Sequence, residues 1–373
     1  MSEKADGDVV LITGGAGFLG QHCISLIQER VNYVREIRIL DTKPYQNLLG
    51  HRESLPVISH VGDICDISLL RQSLNGVDSV IHIAGVISVP MFPNIKEMER
   101  VNVQGTQNLI NACLDKGVKR LVYTSTVDVV VGYENIIDGD ESTPIPDEFV
   151  YKGYPSSKYQ AEVLVNQAHG TPLKEGNGAL HTITLRPNVM YGEQDPHYIV
   201  KALEGARTRN GVLQRFGSPD SKFQHAYAGN AAWAHISADK ALKEDPKAGG
   251  QSYFVTDDTP VQNPFTLLEP FLKSHGFKVS DSSIPSWLVL GVFKFIEWIA
   301  WFISPVYTLN PSISTASITY ISNTYSFSSN KAREKLGYQP IYTPEESLEK
   351  SLKYYAPPSP MGSSPFSVDS SKD

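Results

Sequence analysis

Short, uninterrupted apolar runs alternate with longer amphipathic stretches through the first half of the chain. Runs predicted as strands are Asp8–Thr13, Glu36–Asp41, Val57–Val61, Ser79–Gly85, Lys119–Thr126 and Ala179–Leu185. They are rich in Val and Ile and barely alternate with polar residues, as expected of strands buried on both faces. Between them lie helical patterns. One runs through Ile24, Leu26 and Ile27, and another through Leu69, Leu70 and Leu74. A single long helix is predicted from Ile95 to Cys113, with Val101, Val103, Leu109, Ile110 and Cys113 inward. Repeated strand–helix alternation predicts an α/β, doubly wound parallel sheet. Past about residue 190 the rhythm loosens. Short strands or turns are predicted near Leu213–Phe216, Tyr227–Ala231 and Ser252–Thr256, and a helix over Ala231–Leu242.

The expected organisation is a disordered N-terminus (1–7), a nucleotide-binding core (8–190), a smaller mixed substrate lobe (191–355) and a disordered tail rich in Pro and Ser (356–373). The most apolar stretch, Ser286–Ser304, lies between Pro285 and Pro305 and carries three tryptophans. Nineteen residues just suffice to cross a bilayer. Lys294 and Glu297 sit near its middle, each costing about 3 kcal/mol at a bilayer centre. Three apart, they are expected to pair. Membrane association, by a span or by an interfacial helix, is therefore expected, with a buried or dimer-interface helix as the alternative.

Composition narrows the class. With 41% hydrophobic residues the chain can build a sizeable core, and its net charge of −7 without a long basic run argues against nucleic acid as a partner. Three cysteines without metal-ligand spacing fit free thiols in a reducing compartment and no metal site. The first residues contain no apolar core of a secretory signal.

The chemistry is carried by a few stretches. After the first strand comes Gly14-Gly15-Ala16-Gly17-Phe18-Leu19-Gly20, opening a helix. Strand, glycine turn and helix form the context of a Rossmann dinucleotide site. Gly14 makes the tight turn, Gly17 lets backbone approach a pyrophosphate and Gly20 lets helix and strand pack; the amides of the Phe18–Leu19 turn face the phosphates. Asp41 ends the second strand 21 residues past Gly20. A carboxylate there suits an adenosine ribose 2′-OH and repels a 2′-phosphate, which favours NAD over NADP. Asp63 is a candidate acceptor for the adenine amino group, and Ile64 a candidate cover for its ring. Ala84 and Gly85 end the fourth strand in small residues against which a cofactor can lie, and Pro187 is a candidate contact at the nicotinamide end. His82, inside a strand, reads as a core histidine.

Tyr154 and Lys158 stand one helical turn apart behind Pro155, which suits a first helical turn. A lysine cation about 4 Å from a phenol, at an effective dielectric near 20, is worth roughly 4 kcal/mol, or about three pKa units. It would bring the phenol to roughly 7, where it can exchange a proton with an alcohol. Ser125 and Thr126 end the fifth strand with hydroxyls, at the sheet edge where open parallel sheets bind ligands.

The glycine turn, the hydroxyl cluster, Tyr-x-x-x-Lys and Leu185-Arg186-Pro187-Asn188-Val189-Met190-Tyr191-Gly192 together resemble the extended short-chain dehydrogenases/reductases over roughly residues 8–355. Within them the chain looks most like the 3β-hydroxysteroid dehydrogenase/Δ5-4 isomerase family. Gly229-Asn230-Ala231-Ala232-Trp233-Ala234-His235-Ile236, Asp257-Asp258-Thr259-Pro260 and the Trp-rich segment through Ile303-Ser304-Pro305-Val306-Tyr307 carry that likeness. Thr126 occupies the position of the usual catalytic serine, with Ser125 its rival, and the loop Val129–Gly132 departs slightly in length. The resemblance implies NAD-dependent oxidation of a steroid or sterol 3β-hydroxyl. Tyr154, Lys158 and Thr126 or Ser125 would be the catalytic groups, and Asp257 or Asp258 the carboxylate of an isomerase step. It also implies a seat on the endoplasmic reticulum membrane with the catalytic domain facing cytosol, or alternatively on a mitochondrial membrane, and allows a homodimer. A decarboxylating sterol-4α-carboxylate 3-dehydrogenase, a nucleotide-sugar epimerase or dehydratase, and a catalytically silent NAD-binding partner protein are the competing readings.

Overall fold

A computed structural model describes residues 7–303, 310–311 and 313–357. Most of the tail expected after residue 356, nearly all of the N-terminal segment and the stretch Ser304–Tyr307 lie outside the described residues. The main sheet contains β1 (Asp8–Thr13), β2 (Val34–Asp41), β3 (Val57–Val61), β4 (Ser79–His82), β5 (Arg120–Thr124), β6 (Ala179–Pro187) and β7 (Ser252–Val255). Their spatial order is β7-β6-β5-β4-β1-β2-β3, all parallel, and a two-residue antiparallel strand, Thr171–Pro172, adds to β6. The order reverses between β1 and β4, which opens a crevice at their C-terminal ends.

Alternate side chains of β1 explain the layers. Val10 and Ile12 face α1 (Phe18–Arg30) and a later helix, α4 (Ala228–Glu244), in one core with Ile24, Ile27, Ala234 and Ala238. Val9 and Leu11 face α2 (Thr106–Lys116) and α3 (Tyr154–Gln167), with Leu109, Cys113, Ala161 and Val165. Strand period 2 thus feeds two helical layers. The closed end of the sheet is sealed by Arg120, whose guanidinium pairs with Asp8 at 2.7 Å and Asp239 at 2.8 Å.

The main sheet does not stop at residue 190. β7 pairs in register with β6, with Tyr253 opposite Leu185 and Val255 opposite Pro187, and α4 covers α1 and the sheet. Both elements come from the stretch assigned to the substrate lobe, because burying the β6 edge requires a further strand. The long helix expected from Ile95 to Cys113 is also interrupted. Ile95–Met98 is α-helical, Glu99–Gly105 takes a π-helical turn and α2 follows.

The other lobe elements include α5 (Pro264–Ser274), α6 (Ser286–Ile303) and α7 (Thr315–Ser322). α6 is long and apolar enough to cross a membrane, and only 11% of it is buried. Trp287, Phe295, Trp298, Trp301 and Phe302 are each more than half exposed on its outer side. Glu297 does not pair with Lys294. Its carboxylate turns inward and accepts from the Thr315 amide and hydroxyl, both at 2.8 Å. Ser322 at the other end of α7 donates to Ser286 at 3.2 Å. α6 and α7 therefore lie antiparallel and pinned at both ends.

Candidate active site

The glycine turn is built for close approach. Gly14 has φ +72°, and a Cβ on it would stand 2.8 Å from the Ala84 amide nitrogen; one on Gly20 would stand 2.3 Å from the Gly14 carbonyl oxygen. Side chains there would push α1 off the sheet. Gly17 is exposed at the N-cap of α1 and has no side chain to obstruct a ligand. Phe18 and Leu19 supply first-turn amides that no preceding helical carbonyl can satisfy, while the Leu19 side chain is 3% exposed in the core. Asp41, at the C-terminal end of β2, holds the turn from the side. It accepts from the Ala16 amide at 3.0 Å and from the Lys43 amide at 3.0 Å.

Asp63 and Ile64 also make contacts within the protein. The Asp63 carboxylate accepts from the Cys65 amide at 2.9 Å and pairs with Arg100 at 2.8 Å. Ile64 is 4% exposed and packs under Gly105, leaving little of its side chain to cover a ring.

At the C-terminal ends of β4 and β5 the catalytic candidates come together. Ala84 donates to the Thr13 carbonyl at 3.1 Å. A Cβ on Gly85 would lie 3.2 Å from Asn102 Oδ1 and 3.7 Å from Lys158 Nζ, so the missing side chain makes room for the lysine. Lys158 Nζ also stands 4.4 Å above the Tyr123 ring. Asn102, from the π-helical turn, accepts from the Val86 amide at 2.7 Å and donates to the Ser157 hydroxyl at 3.0 Å. It ties the exit of β4 to α3. No pattern in the sequence marks it, because its role depends on the local change of helical pitch.

Tyr154 is the first residue of α3, preceded by Gly153 and followed by Pro155. Thr126 is the neighbour that pulls the pKa of its phenol downward. Thr126 is 8% exposed and caps the 3₁₀ turn Val127–Val130, accepting from the Asp128 amide at 3.2 Å. Ser125 is held by its amide to the Leu185 carbonyl at 2.7 Å, and its buried Oγ has no partner among the described residues. Pro187 is buried at the end of β6. Beside it, Asn188 Oδ1 is likewise buried without a partner among the described residues. Two orphaned acceptors at neighbouring strand ends, next to a glycine cradle, fit a polar ligand lying along this edge. The residues present therefore fit a dinucleotide.

The electrostatics differ from the simple lysine–phenol pair. Burial pushes Lys158 down from 10.5 to about 7, with Glu162 opposing the shift. Burial, reinforced by the negative charge of Asp128, pushes the Tyr154 phenol well up, and Thr126 only partly offsets this. Desolvation of the cation and a neighbouring anion both oppose the lowered phenol expected from helical spacing. Asp128 is the carboxylate that spacing did not reveal; Tyr320 of α7 donates to it at 2.8 Å.

The two acids expected to serve an isomerase lie in other company. Asp257 is 5% exposed and accepts from the Tyr227 amide, Asn230 Nδ2 and the Thr259 amide at 2.8–3.0 Å. It fastens the start of α4. Asp258 is exposed and pairs with Arg333 at 2.8 Å. His82 is a satisfied core histidine, with Thr13 at 2.7 Å and Thr106 at 2.9 Å. Arg186 forms a buried two-point pair with Glu162, at 2.5 and 3.2 Å, that anchors the Pro187 loop to α3.

The same fold occurs in several solved structures. MoeE5 in complex with UDP-glucuronic acid and NAD is 19% identical, with a TM-score of 0.66 over 93% of this chain and 98% of that one. DesIV, a dTDP-glucose 4,6-dehydratase from Streptomyces venezuelae with NAD and TYD bound, is 22% identical, with a TM-score of 0.66 over 93% and 96%. Gox2253 is 23% identical, with a TM-score of 0.68 over 94% and 98%. At such identities the likeness establishes the fold alone. Residues 11–286 match the family model of the 3-beta hydroxysteroid dehydrogenase/isomerase family. With the glycine cradle, the Tyr154–Thr126 pair and Lys158 all inside the matched region, the chain belongs to the 3-beta hydroxysteroid dehydrogenase/isomerase family.

Proposed function

We propose that this protein oxidises the 3β-hydroxyl of a membrane-borne steroid or sterol to the ketone, with NAD as cofactor. The observation that carries the reading is the exposed apolar face of α6. That helix packs on α7, whose Tyr320 donates to Asp128, two residues from Thr126. A substrate carried in a bilayer calls for such a surface, whereas a nucleotide sugar needs none. Two-ended pinning of α6 along α7 favours a helix lying in the interface over one that spans.

Gly14, Gly17, Gly20 and Asp41 hold the cofactor, which when bound supplies a hydride acceptor and, oxidised, a positive charge. Thr126 orients the substrate oxygen and Tyr154 accepts its proton. Lys158, above Gly85, holds the ribose side of the crevice. The reading stops at the ketone, since Asp257 and Asp258 spend their carboxylates on Tyr227, Asn230, Thr259 and Arg333. A second reading, a nucleotide-sugar dehydratase or epimerase, draws on the solved relatives of the same fold.

The test is to give the purified protein, in vesicles, NAD with either a 3β-hydroxy-5-ene steroid or a UDP- or dTDP-sugar. NADH with the steroid alone is the expected result. Sugar turnover without steroid turnover would overturn the assignment.

A further inference from the structure

From the contacts of the chain after α6 we infer that Asn310 is a positioning residue for the oxidation. It holds the apolar loop of residues 86–94 beside the first turn of α3, where Tyr154 and Lys158 stand. The inference rests on the dehydrogenase reading above for the class of substrate, an apolar alcohol.

The loop leaves β4 and passes along the catalytic turn. At its start, a Cβ on Gly85 would lie 3.7 Å from Lys158 Nζ. At its end, Ile95 and Met98 pack on Gly153, where a Cβ would stand 3.0 Å from Ile95 Cγ1 and 2.6 Å from Met98 Cε. Gly153 immediately precedes Tyr154. The two ends of the loop thus meet α3 beside the lysine and beside the tyrosine. Between these ends, Ser88 is the only polar residue of the stretch 86–93. Ile87 is 50% exposed and Phe92 39%. An apolar run bordering a catalytic turn suits the hydrocarbon body of a steroid and offers few partners to the hydroxyls of a sugar.

The middle of the loop takes its shape from outside. Pro90 and Pro93 have no N–H, so between them only Met91 and Phe92 can donate from the backbone. Both donate to the chain that follows α6. The Phe92 amide reaches Asn310 Oδ1 at 2.8 Å, and the Met91 amide reaches the Pro311 carbonyl at 3.1 Å. Asn310 Nδ2 returns a bond to the Phe92 carbonyl at 3.0 Å. The side-chain amide therefore stands in for a peptide unit and takes both polar groups of one residue.

Asn102 makes the same two-point clamp at the other end, with Oδ1 2.7 Å from the Val86 amide and Nδ2 2.9 Å from its carbonyl. That clamp is buried and tied to α3 through Ser157. The Asn310 clamp is exposed and belongs to the lobe that carries α6. Removing the Asn310 side chain frees the centre of the loop and leaves the Asn102 clamp and the glycine cradle in place. A freed loop must then be ordered by the substrate as it binds, which weakens binding without altering the chemical step.

The experiment compares full-length wild type, Asn310→Asp and Asn310→Ala in phosphatidylcholine vesicles with NAD and a 3β-hydroxy-5-ene steroid. NADH formation gives kcat and KM, NAD affinity is measured without steroid, and deuterium exchange is followed by mass spectrometry over residues 86–94. Loss of two bonds to the Phe92 backbone should raise the steroid KM of Asn310→Ala about tenfold. Its kcat and NAD affinity should stay unchanged, and exchange in the loop should quicken. Asn310→Asp keeps an acceptor for the Phe92 amide and loses the donor to its carbonyl, so its KM should fall between the other two. It also carries the test if Asn310→Ala does not melt cooperatively. Faster exchange with an unmoved KM would overturn the inference, since the clamp would then hold only a surface loop. Unchanged exchange, or an equal loss of NAD affinity, would overturn it as well. No NADH from wild type would sink the dehydrogenase reading itself, whereas turnover by wild type with an unmoved KM in the variants sinks the inference alone. In the first case exchange still decides the clamp: equal rates in wild type and Asn310→Ala overturn it, and faster exchange in the variant sustains it.

Discussion

Lys158→Met should make the protein more stable and less active, and the size of the gain can be worked from the site. The ammonium is fully enclosed above Gly85 and Tyr123, and its pKa falls from 10.5 to about 7. Between these values the unfolded chain binds the proton more tightly than the folded one. Stability therefore rises with pH across this window, is greatest above the unfolded pKa, and is lost as pH falls toward the folded one. A shift of this size amounts to about 4 kcal/mol at neutral pH. Methionine fills nearly the same volume and carries no charge to desolvate, so up to about 4 kcal/mol should be regained, less the contacts to Tyr123 and Glu162. The measurement is urea unfolding of cofactor-free protein at steps from about pH 7 to about pH 8. The histidines, all of whose resolved shifts are downward from 6.5, and the thiols, with an unfolded pKa of 9.0, add the same background to both proteins. Wild type should gain about 1 kcal/mol more over that unit than Lys158→Met. Parallel profiles, or a variant no more stable than wild type, would refute a desolvated lysine.

Three further outcomes follow from buried or exposed groups. Arg186→Met leaves Glu162 charged and buried, and should cost about 3–5 kcal/mol in urea unfolding; a loss under about 1 kcal/mol would mean that water reaches the pair. Asp257→Asn should lower stability by about 1–3 kcal/mol through the Tyr227 and Thr259 amides, yet leave NADH formation per folded molecule unchanged; selective loss of turnover would return Asp257 to the chemistry. Phe295→Glu with Trp298→Glu should abolish flotation with phosphatidylcholine vesicles, since each ring contributes about 2–3 kcal/mol of burial; retained flotation would exclude α6 as the contact.

Local patterns reveal what local physics decides. The glycine turn, Asp41 at a strand end and Tyr154 behind Gly153 all lie where sequence spacing places them, because a strand–turn–helix unit closes over few residues. The features that sequence did not reveal depend on distant chain. β7 joins the sheet only by pairing with β6, about 70 residues earlier. The π-helical turn that aims Asn102 at Ser157 leaves the apolar periodicity of Ile95–Cys113 nearly intact, so a uniform helix reads equally well.

Charge is where spacing misleads most. Four residues along a helix put Lys158 and Tyr154 on one face, and Coulomb's law at that separation predicts an acidic phenol. The lysine's own state is fixed by Tyr123 and Gly85, and the phenol's by Asp128, which Tyr320 reaches across 192 residues. The same holds in α6, where Lys294 and Glu297 have the spacing of an ion pair. Thr315, 18 residues from Glu297, offers an amide and a hydroxyl together, and takes the carboxylate away. In both places the partner supplied by tertiary structure outcompetes the one supplied by helical geometry, since a charge drawn out of water is held by the group that best replaces it. Asp128 thus links Tyr320 of α7 to the electrostatics of the Tyr154 phenol.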